Sequence, residues 1–299
     1  MTRQKVIDLL AMSRFANLPT VWSNGLLGVL VGWTAFRPEV CPLCMILIGI
    51  ALSSLYLGGC FFNDWHDLAF DQKTRPERPI PSGRWKRGTI LNFAVILMFL
   101  GVGLSFAVTP ASGCCAVGIV ICILAYTKWH KIHPISFVFM AGARVLIYPL
   151  AALSVLPWSH FQGQVPIFII LAIGLGGYIL GISLTARAET SKTPVSDVRK
   201  TFPVLCLCAP IVFISGSLLA SKNGMALVPL AIFLVVLAFT VRQLRSNHKV
   251  GQFVSRTLAA IPLVDFLLVF VIAPHPAFWV ICPLLALAAL SFQKIAPAT

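Results

Sequence analysis

The chain holds nine acidic residues, and three of them fall within eight positions: Asn63-Asp64-Trp65-His66-Asp67-Leu68-Ala69-Phe70-Asp71. If these residues continue a helix, the spacing i, i+3, i+7 puts Asp64, Asp67 and Asp71 within about 60° of one another on one face. Three carboxylates on one face repel unless a cation joins them. Hard oxygen ligands of this kind suit Mg²⁺, which binds through a few carboxylates and substrate phosphates while keeping several waters. Asn63 adds a neutral oxygen or a donor. A proton or cation path and a solvated helix end are the alternatives that spacing alone leaves open.

The segment after the acids is cationic and cannot be helical. Lys73, Arg75, Arg78 and Arg84 alternate with Pro76, Pro79, Pro81 and Gly83. The prolines forbid a regular helix and fix a turning loop, which can hold cations over an anion. The combination of acids and cations points to metal-assisted binding of a phosphorylated substrate.

The elements that must position these residues are membrane helices. Of 299 residues, 58% are hydrophobic and 11% charged, less than half the charge of an ordinary soluble domain. Apolar runs of spanning length recur along the chain. We read ten segments, roughly 15–36, 43–62, 89–109, 113–127, 135–156, 165–185, 202–221, 224–241, 256–273 and 275–293. The fold class is all-α: a polytopic transmembrane bundle of 9–10 helices forming one domain over 1–299. Period-two alternation is absent, against an outer-membrane barrel. The first segment is too long for a signal-peptide core and reads as a retained helix.

With the N-terminus on the cytoplasmic side, 20 of the 23 Lys and Arg fall on inner segments, the positive-inside pattern. That pattern accounts for the net charge of +14 without nucleic acid, which would need a basic face on a soluble domain. The hydrophilic stretches 63–88, 127–134, 186–201 and 242–255 then share the inner face. The expected location is a cell inner membrane, multi-pass, with the N-terminus and active-site loops cytoplasmic.

Other polar residues are weighed against plain alternatives. Cys41 and Cys44 form a C-x-x-C near the outer end of the second helix. A redox or metal pair is one reading, and two small apolar residues is the one we take. His66, His130 and His133 are candidate bases near the inner face, with His66 turned away from the carboxylates. Asp265, alone in the ninth segment, reads as hydrogen-bonded within the bundle.

Asn63-Asp-x-x-Asp67-x-x-x-Asp71, followed by Arg78-Pro-Ile-Pro-Ser-Gly-Arg84, resembles the signature of the UbiA superfamily of intramembrane prenyltransferases. Arg14-Phe-Ala-Asn17-Leu-Pro19 through Asn24 and Gly28 resembles that family's first helix, and Tyr126-Thr-Lys128-Trp-His130-Lys131 its short basic motif. The resemblance implies a UbiA-type bundle that transfers a prenyl group from a prenyl diphosphate to an acceptor in the membrane, with membrane lipid around it. It implies Mg²⁺ on Asp64, Asp67 and Asp71, assisted by Asn63, with a second acidic motif after the sixth helix. That region reads Arg187-Ala-Glu189-Thr-Ser-Lys192-Thr193. Glu189 stands where the first acid belongs, and no carboxylate follows four residues on. This altered motif resembles the divergent EboC-like branch. The substrate side falls to Asn24, Arg78, Arg84, Tyr126, Lys128, Lys131, Arg144 and Arg187. Phe61, Phe62, Trp65 and Tyr126 are expected to wall a dry cavity. The acceptor is unidentified, and a non-catalytic prenyl-lipid binder or transport component is the alternative. The Asp-Gly-x-x-Ala-Arg opening of CDP-alcohol phosphotransferases is missing.

Overall fold

The computed structural model describes residues 2–39, 41–133, 135–190, 197–212, 224–247, 250–272 and 275–296. Within these, the side chains of 188–190, 197–201, 245–247 and 271 lie outside the description. The described residues form helices α1 (Arg3–Met12), α2 (Leu18–Phe36), α3 (Pro42–His66), α4 (Leu68–Thr74), α5 (Arg87–Val108), α6 (Pro110–Trp129), α7 (Ser136–Val145), α8 (Ile147–Ala152), α9 (Trp158–Phe161), α10 (Val165–Thr190), α11 (Asp197–Leu207), α12 (Leu227–Asn247), α13 (Val250–Ala259), α14 (Ile261–Ile272) and α15 (Phe278–Phe292). No strand occurs among them.

Among the described residues, six helical stretches are long and apolar enough to cross a membrane: Pro42–His66, Arg87–Val108, Pro110–Trp129, Trp158–Arg187, Gly224–Leu244 and Val250–Phe270. Ser136–Ala152 and Phe278–Phe292 are shorter apolar helices. The chain is therefore a multi-pass membrane protein. Of the expected segments, 202–221 runs beyond the described residues. Segments five and nine are broken. Pro149 removes a backbone donor where α7 meets α8, and Pro262 does so where α13 meets α14. Large apolar side chains such as Ile96, Phe99, Val235 and Leu284 stay exposed, as a bilayer-facing surface requires.

The centre of the bundle is α13–α14. In the most apolar part of Val250–Phe270, 78% of the residues are buried, against 28–44% in the other five long stretches. Leu263, Val264, Phe266, Leu267, Leu268 and Phe270 join a core cluster with Leu27 and Val31 of α2, Tyr148 of α8, and Leu171, Leu175 and Tyr178 of α10.

Two glycines decide how closely α2 meets α8. A Cβ on Gly28 would lie 2.4 Å from the Tyr148 carbonyl oxygen, and one on Gly32 would lie 2.7 Å from the Ala152 oxygen. Only bare Cα hydrogens permit this approach, which carries Tyr148 into the core. Around a Gly103 Cβ there is open space within 4 Å. Gly28→Ala is expected to push α2 from α8 and to destabilise by about 1–3 kcal/mol. Gly103→Ala is expected to be neutral or slightly stabilising, since Ala favours helix by up to ~1 kcal/mol over Gly. Thermal unfolding of both variants in the same detergent checks the contrast.

Candidate active site

The acidic helix does not run on unbroken. α3 ends at His66, and Asp67 (φ −78°, ψ 1°) caps it and opens α4. The ladder is kept across the joint, because Asp67 N–H donates to Asn63 O at 2.9 Å and Asp71 N–H to Asp67 O at 2.9 Å. Asp64, Asp67 and Asp71 are all buried. Charges in that position need partners, and each has one.

The loop after α4 supplies the first partner. Gly83 adopts φ +76°, a backbone state that side chains resist, and its N–H donates to Ile80 O at 3.1 Å. The turn buries Ile80 among Met12, Phe61, Ile90 and Ala94. With the loop pinned there, Arg78 Nη1 donates to Asp71 Oδ2 at 2.9 Å and lies 3.9 Å from Asp64 Oδ1. Arg84 is drawn elsewhere: it holds buried Asp8 of α1 at 2.9 Å and also donates to Glu77 O at 3.0 Å. Arg84 therefore clamps the loop to α1 instead of joining the three acids.

The second partner comes from the turn before α2. Arg14 has φ 47°, uncommon for a residue with a side chain. Its Nη2 donates to Asp64 Oδ1 at 2.9 Å, and its Nη1 reaches Cys60 O at 3.4 Å. Arg14 was read only as part of the first-helix pattern. Its left-handed turn, which no local residue preference announces, is what aims it.

The third group lies at the end of α6. Lys131 Nζ is 2.7 Å from Asp67 Oδ1, and His130 Nε2 is 3.3 Å from Asp67 Oδ2. His66, the chain neighbour of Asp67, has its Nδ1 3.5 Å from Asp67 Oδ1, with its side chain 40% exposed. Burial alone would raise the Asp67 pKa, but hydrogen bonds and charge from His130 and Lys131 outweigh it and hold the carboxyl down at about 2. Tyr126 stacks on His130, with ring centroids 5.0 Å apart. Lys128 lies over the Trp129 ring and Arg187 over Phe137.

Among the described residues, no group of three or more His, Cys, Asp or Glu side chains is gathered closely enough to hold a metal ion. The donors fit Mg²⁺ in kind, being carboxylate oxygens together with Asn63 Oδ1, which is buried without a hydrogen-bond partner. Glu189 is in α10, but its side chain lies outside the described residues, as does all of Thr193.

Two expected substrate residues go to a different place. Asn24 and Arg144 meet deep in the bundle, around Asp265, which is fully buried. Asn24 Nδ2 donates to Asp265 Oδ2 at 2.8 Å, Tyr148 Oη donates to Asp265 Oδ1 at 2.6 Å, and Ser23 Oγ donates to Asp265 as well. With its amide nitrogen so engaged, Asn24 turns Oδ1 outward, and Arg144 Nη1 donates to it at 3.3 Å. Arg144 also lies 5.3 Å from the Tyr56 ring, while Tyr56 Oη donates to Arg14 O at 3.4 Å. Tyr56 thus joins the deep cluster to the acidic mouth. Ser23, Tyr56 and Tyr148 carried no signal of their own. The expectation that Asp265 is hydrogen-bonded in the bundle holds, and it could have prompted a search for donors on neighbouring helices. The expected wall residues Phe61, Phe62 and Trp65 instead pack with Trp85, Phe93 and Ile90 in a satellite core.

The sequence model of the UbiA prenyltransferase family matches residues 18–261. The chain belongs to this family. It is 29% identical over 150 residues to a digeranylgeranylglyceryl phosphate synthase of Methanosarcina barkeri, covering 46% of this chain and 52% of that protein. It is 30% identical over 170 residues to a protoheme IX farnesyltransferase of Picosynechococcus sp., covering 55% and 47%. The chain thus spans about half the length of the curated relatives it matches. Its fold is similar to a UbiA homologue from Aeropyrum pernix K1, with TM-score 0.62 and 14% identity over 89% of this chain and 98% of that one. A solved digeranylgeranylglyceryl phosphate synthase gives TM-score 0.60 at 20% identity over 90% and 98%.

Asp265→Ala is expected to strand the donors of Ser23, Asn24 and Tyr148 and to leave Arg144 without its anchored acceptor. Losing one partner of a buried charged network costs on the order of 3 kcal/mol. Asp265→Asn, which keeps one acceptor oxygen, is expected to cost less. Denaturant unfolding in mixed micelles measures both.

Proposed function

We propose that this protein transfers a prenyl group from a prenyl diphosphate to a lipid-soluble acceptor within the membrane, with Mg²⁺. The observation that carries the reading is the mouth of the bundle: three buried carboxylates, each already faced by a cation, beside the unpartnered Asn63 oxygen. Membership of the UbiA prenyltransferase family supports it, as do relatives named for digeranylgeranylglyceryl phosphate synthesis and protoheme IX farnesyl transfer.

Asp64, Asp67, Asp71 and Asn63 Oδ1 would hold Mg²⁺, with Glu189 as the carboxylate of a second site. When bound, the metal offsets the negative charge that builds on the departing diphosphate. The protein's own part is an exchange of partners. With metal on the carboxylates, Arg78, Lys131 and Arg14 would be available to face phosphate oxygens, and no buried charge would lose compensation. Guanidinium and ammonium groups stabilise the leaving group by charge alone, with no proton transfer. Tyr126, which stacks on His130, would join that shell, and Lys128 and Arg187 would add positive charge to it. Burial of the prenyl chain among apolar helices excludes water from the electrophilic carbon. The basic loops support a cell inner membrane with this mouth on the cytoplasmic side.

The test uses purified protein in nanodiscs, labelled farnesyl and geranylgeranyl diphosphates, Mg²⁺ and a lipid extract of the native host. Diphosphate release and a new labelled lipid are expected. Chelation by EDTA is expected to abolish both, and added Mg²⁺ to restore them. Asp67→Asn is expected to lower the rate at least ~100-fold, the scale of losing one electrostatic contact to a transition state. A second reading rests on the lone Glu189 of the second motif: a non-catalytic prenyl-lipid binder. Mg²⁺-dependent binding of the diphosphate without product, in an extract shown to contain acceptor, would favour that reading over transfer.

A further inference from the structure

At the far end of α3, Cys41 and Cys44, read above as two small apolar residues, are brought together as a pair. Cys41 is exposed and Cys44 half-buried. Cys41 is the N-cap of α3, and its Sγ accepts a hydrogen bond from Cys44 N–H at 3.3 Å. The Cys44 thiol lies with its Sγ 2.8 Å from Cys41 Sγ. Pro42 begins the helix, where its fixed φ and missing N–H cost nothing. Hydrogen bonds from the Cys44 thiol, and then from its N–H, pull the Cys41 thiol below the usual cysteine range. The adjoining loop carries Arg37 and Glu39, and Arg37 lies over Trp33, which puts the pair at a polar boundary and not in the apolar slab.

The continuous helix α3 fixes which boundary this is. From Cys44 to Asp64 is about 30 Å at 1.5 Å per residue, the thickness of a bilayer core. We propose that Cys41 and Cys44 form a redox-active dithiol that exchanges with low-molecular-weight disulfides at the membrane face opposite the acidic mouth. This inference is independent of prenyl transfer.

The exchange runs in two steps. The Cys41 thiolate attacks one sulfur of a disulfide R–S–S–R. The R–S–S–R bond breaks, one RS⁻ leaves and takes up the Cys41 proton, and a Cys41–S–S–R bond forms. Cys44 then loses its proton, and its thiolate attacks Cys41 Sγ. The second RS⁻ departs with that proton, leaving a Cys41–Cys44 disulfide. The dithiol is oxidised by two electrons and R–S–S–R is reduced to two RSH. A thiolate-stabilised cysteine reached by solvent is the attacking partner such exchange needs. A second sulfur poised at 2.8 Å is the resolving one.

The experiment places the full chain in nanodiscs and equilibrates it with reduced and oxidised glutathione at pH 7 over a range of ratios. Free thiols are then alkylated and the Cys41–Cys44 peptide is read by mass. A disulfide between these two residues, appearing and reversing with the ratio, is expected. C44S is expected to accumulate a glutathione adduct on Cys41, and C41S at least tenfold less adduct on Cys44. Should either variant fail to fold, iodoacetamide competition on the unmodified protein stands in, with Cys41 expected to react at least tenfold faster than Cys44. Absence of the disulfide at the most oxidising ratio would overturn the proposal. So would equal adducts on the two single variants, or equal alkylation rates.

Discussion

Everything at the mouth of this protein follows from the cost of keeping three carboxylates out of bulk water. An isolated buried carboxylate is disfavoured by many kcal/mol and survives only with partners. Here the partners come from three separate parts of the chain: Arg14 before α2, Arg78 in the proline loop, and His130 with Lys131 after α6. The acids therefore act as the point on which remote segments converge. The loop is pinned by buried Ile80 and by the Arg84–Asp8 clamp so that Arg78 arrives at the right place.

The same constraint operates a second time in the bundle interior, with a different solution. Asp265 is met by neutral donors from α2 and α8, and the Asn24 amide stands between it and Arg144. An amide whose nitrogen is committed to a carboxylate must offer its oxygen on the other side. The orientation of Arg144 is thereby set by Asp265 without direct contact. Gly28 and Gly32 are part of this device, because the close passage of α2 over α8 brings Tyr148 to the carboxylate. Packing and electrostatics are one problem at this position.

The two polar sites differ in how they can respond to a ligand. At the mouth, ion pairs are the resting arrangement, and both halves of each pair have the chemistry to bind parts of a metal–diphosphate complex. In the interior, the network is enclosed by the most buried of the long helical stretches, Val250–Phe270, and so serves as a fixed support. Tyr56 touches both, through the Arg14 carbonyl and the face of its ring. At the opposite end of α3, Cys41 and Cys44 hold their sulfurs 2.8 Å apart.

By itself the sequence determined the solvent, the all-helical class and the identity of the acids, because hydropathy and carboxylate spacing are local properties read along one chain. Arg78 was also legible as a cation near the acids in sequence, and Lys131 only through the resemblance of its motif. What only the tertiary structure decided was partnership. Arg84 looks equivalent to Arg78 in the loop, yet a turn at Gly83 sends one to Asp8 and the other to Asp71. Asn24 and Arg144 were expected on the substrate side, and the packing gathers them around Asp265, which lies 241 and 121 residues further along the chain. Arg14 reaches Asp64 across 50 positions of chain, from a left-handed turn that no residue type announces. Hydrogen bonds and ion pairs reach only about 3–4 Å, so their partners are fixed by how helices far apart in sequence are packed, and spacing along the chain carries no record of that.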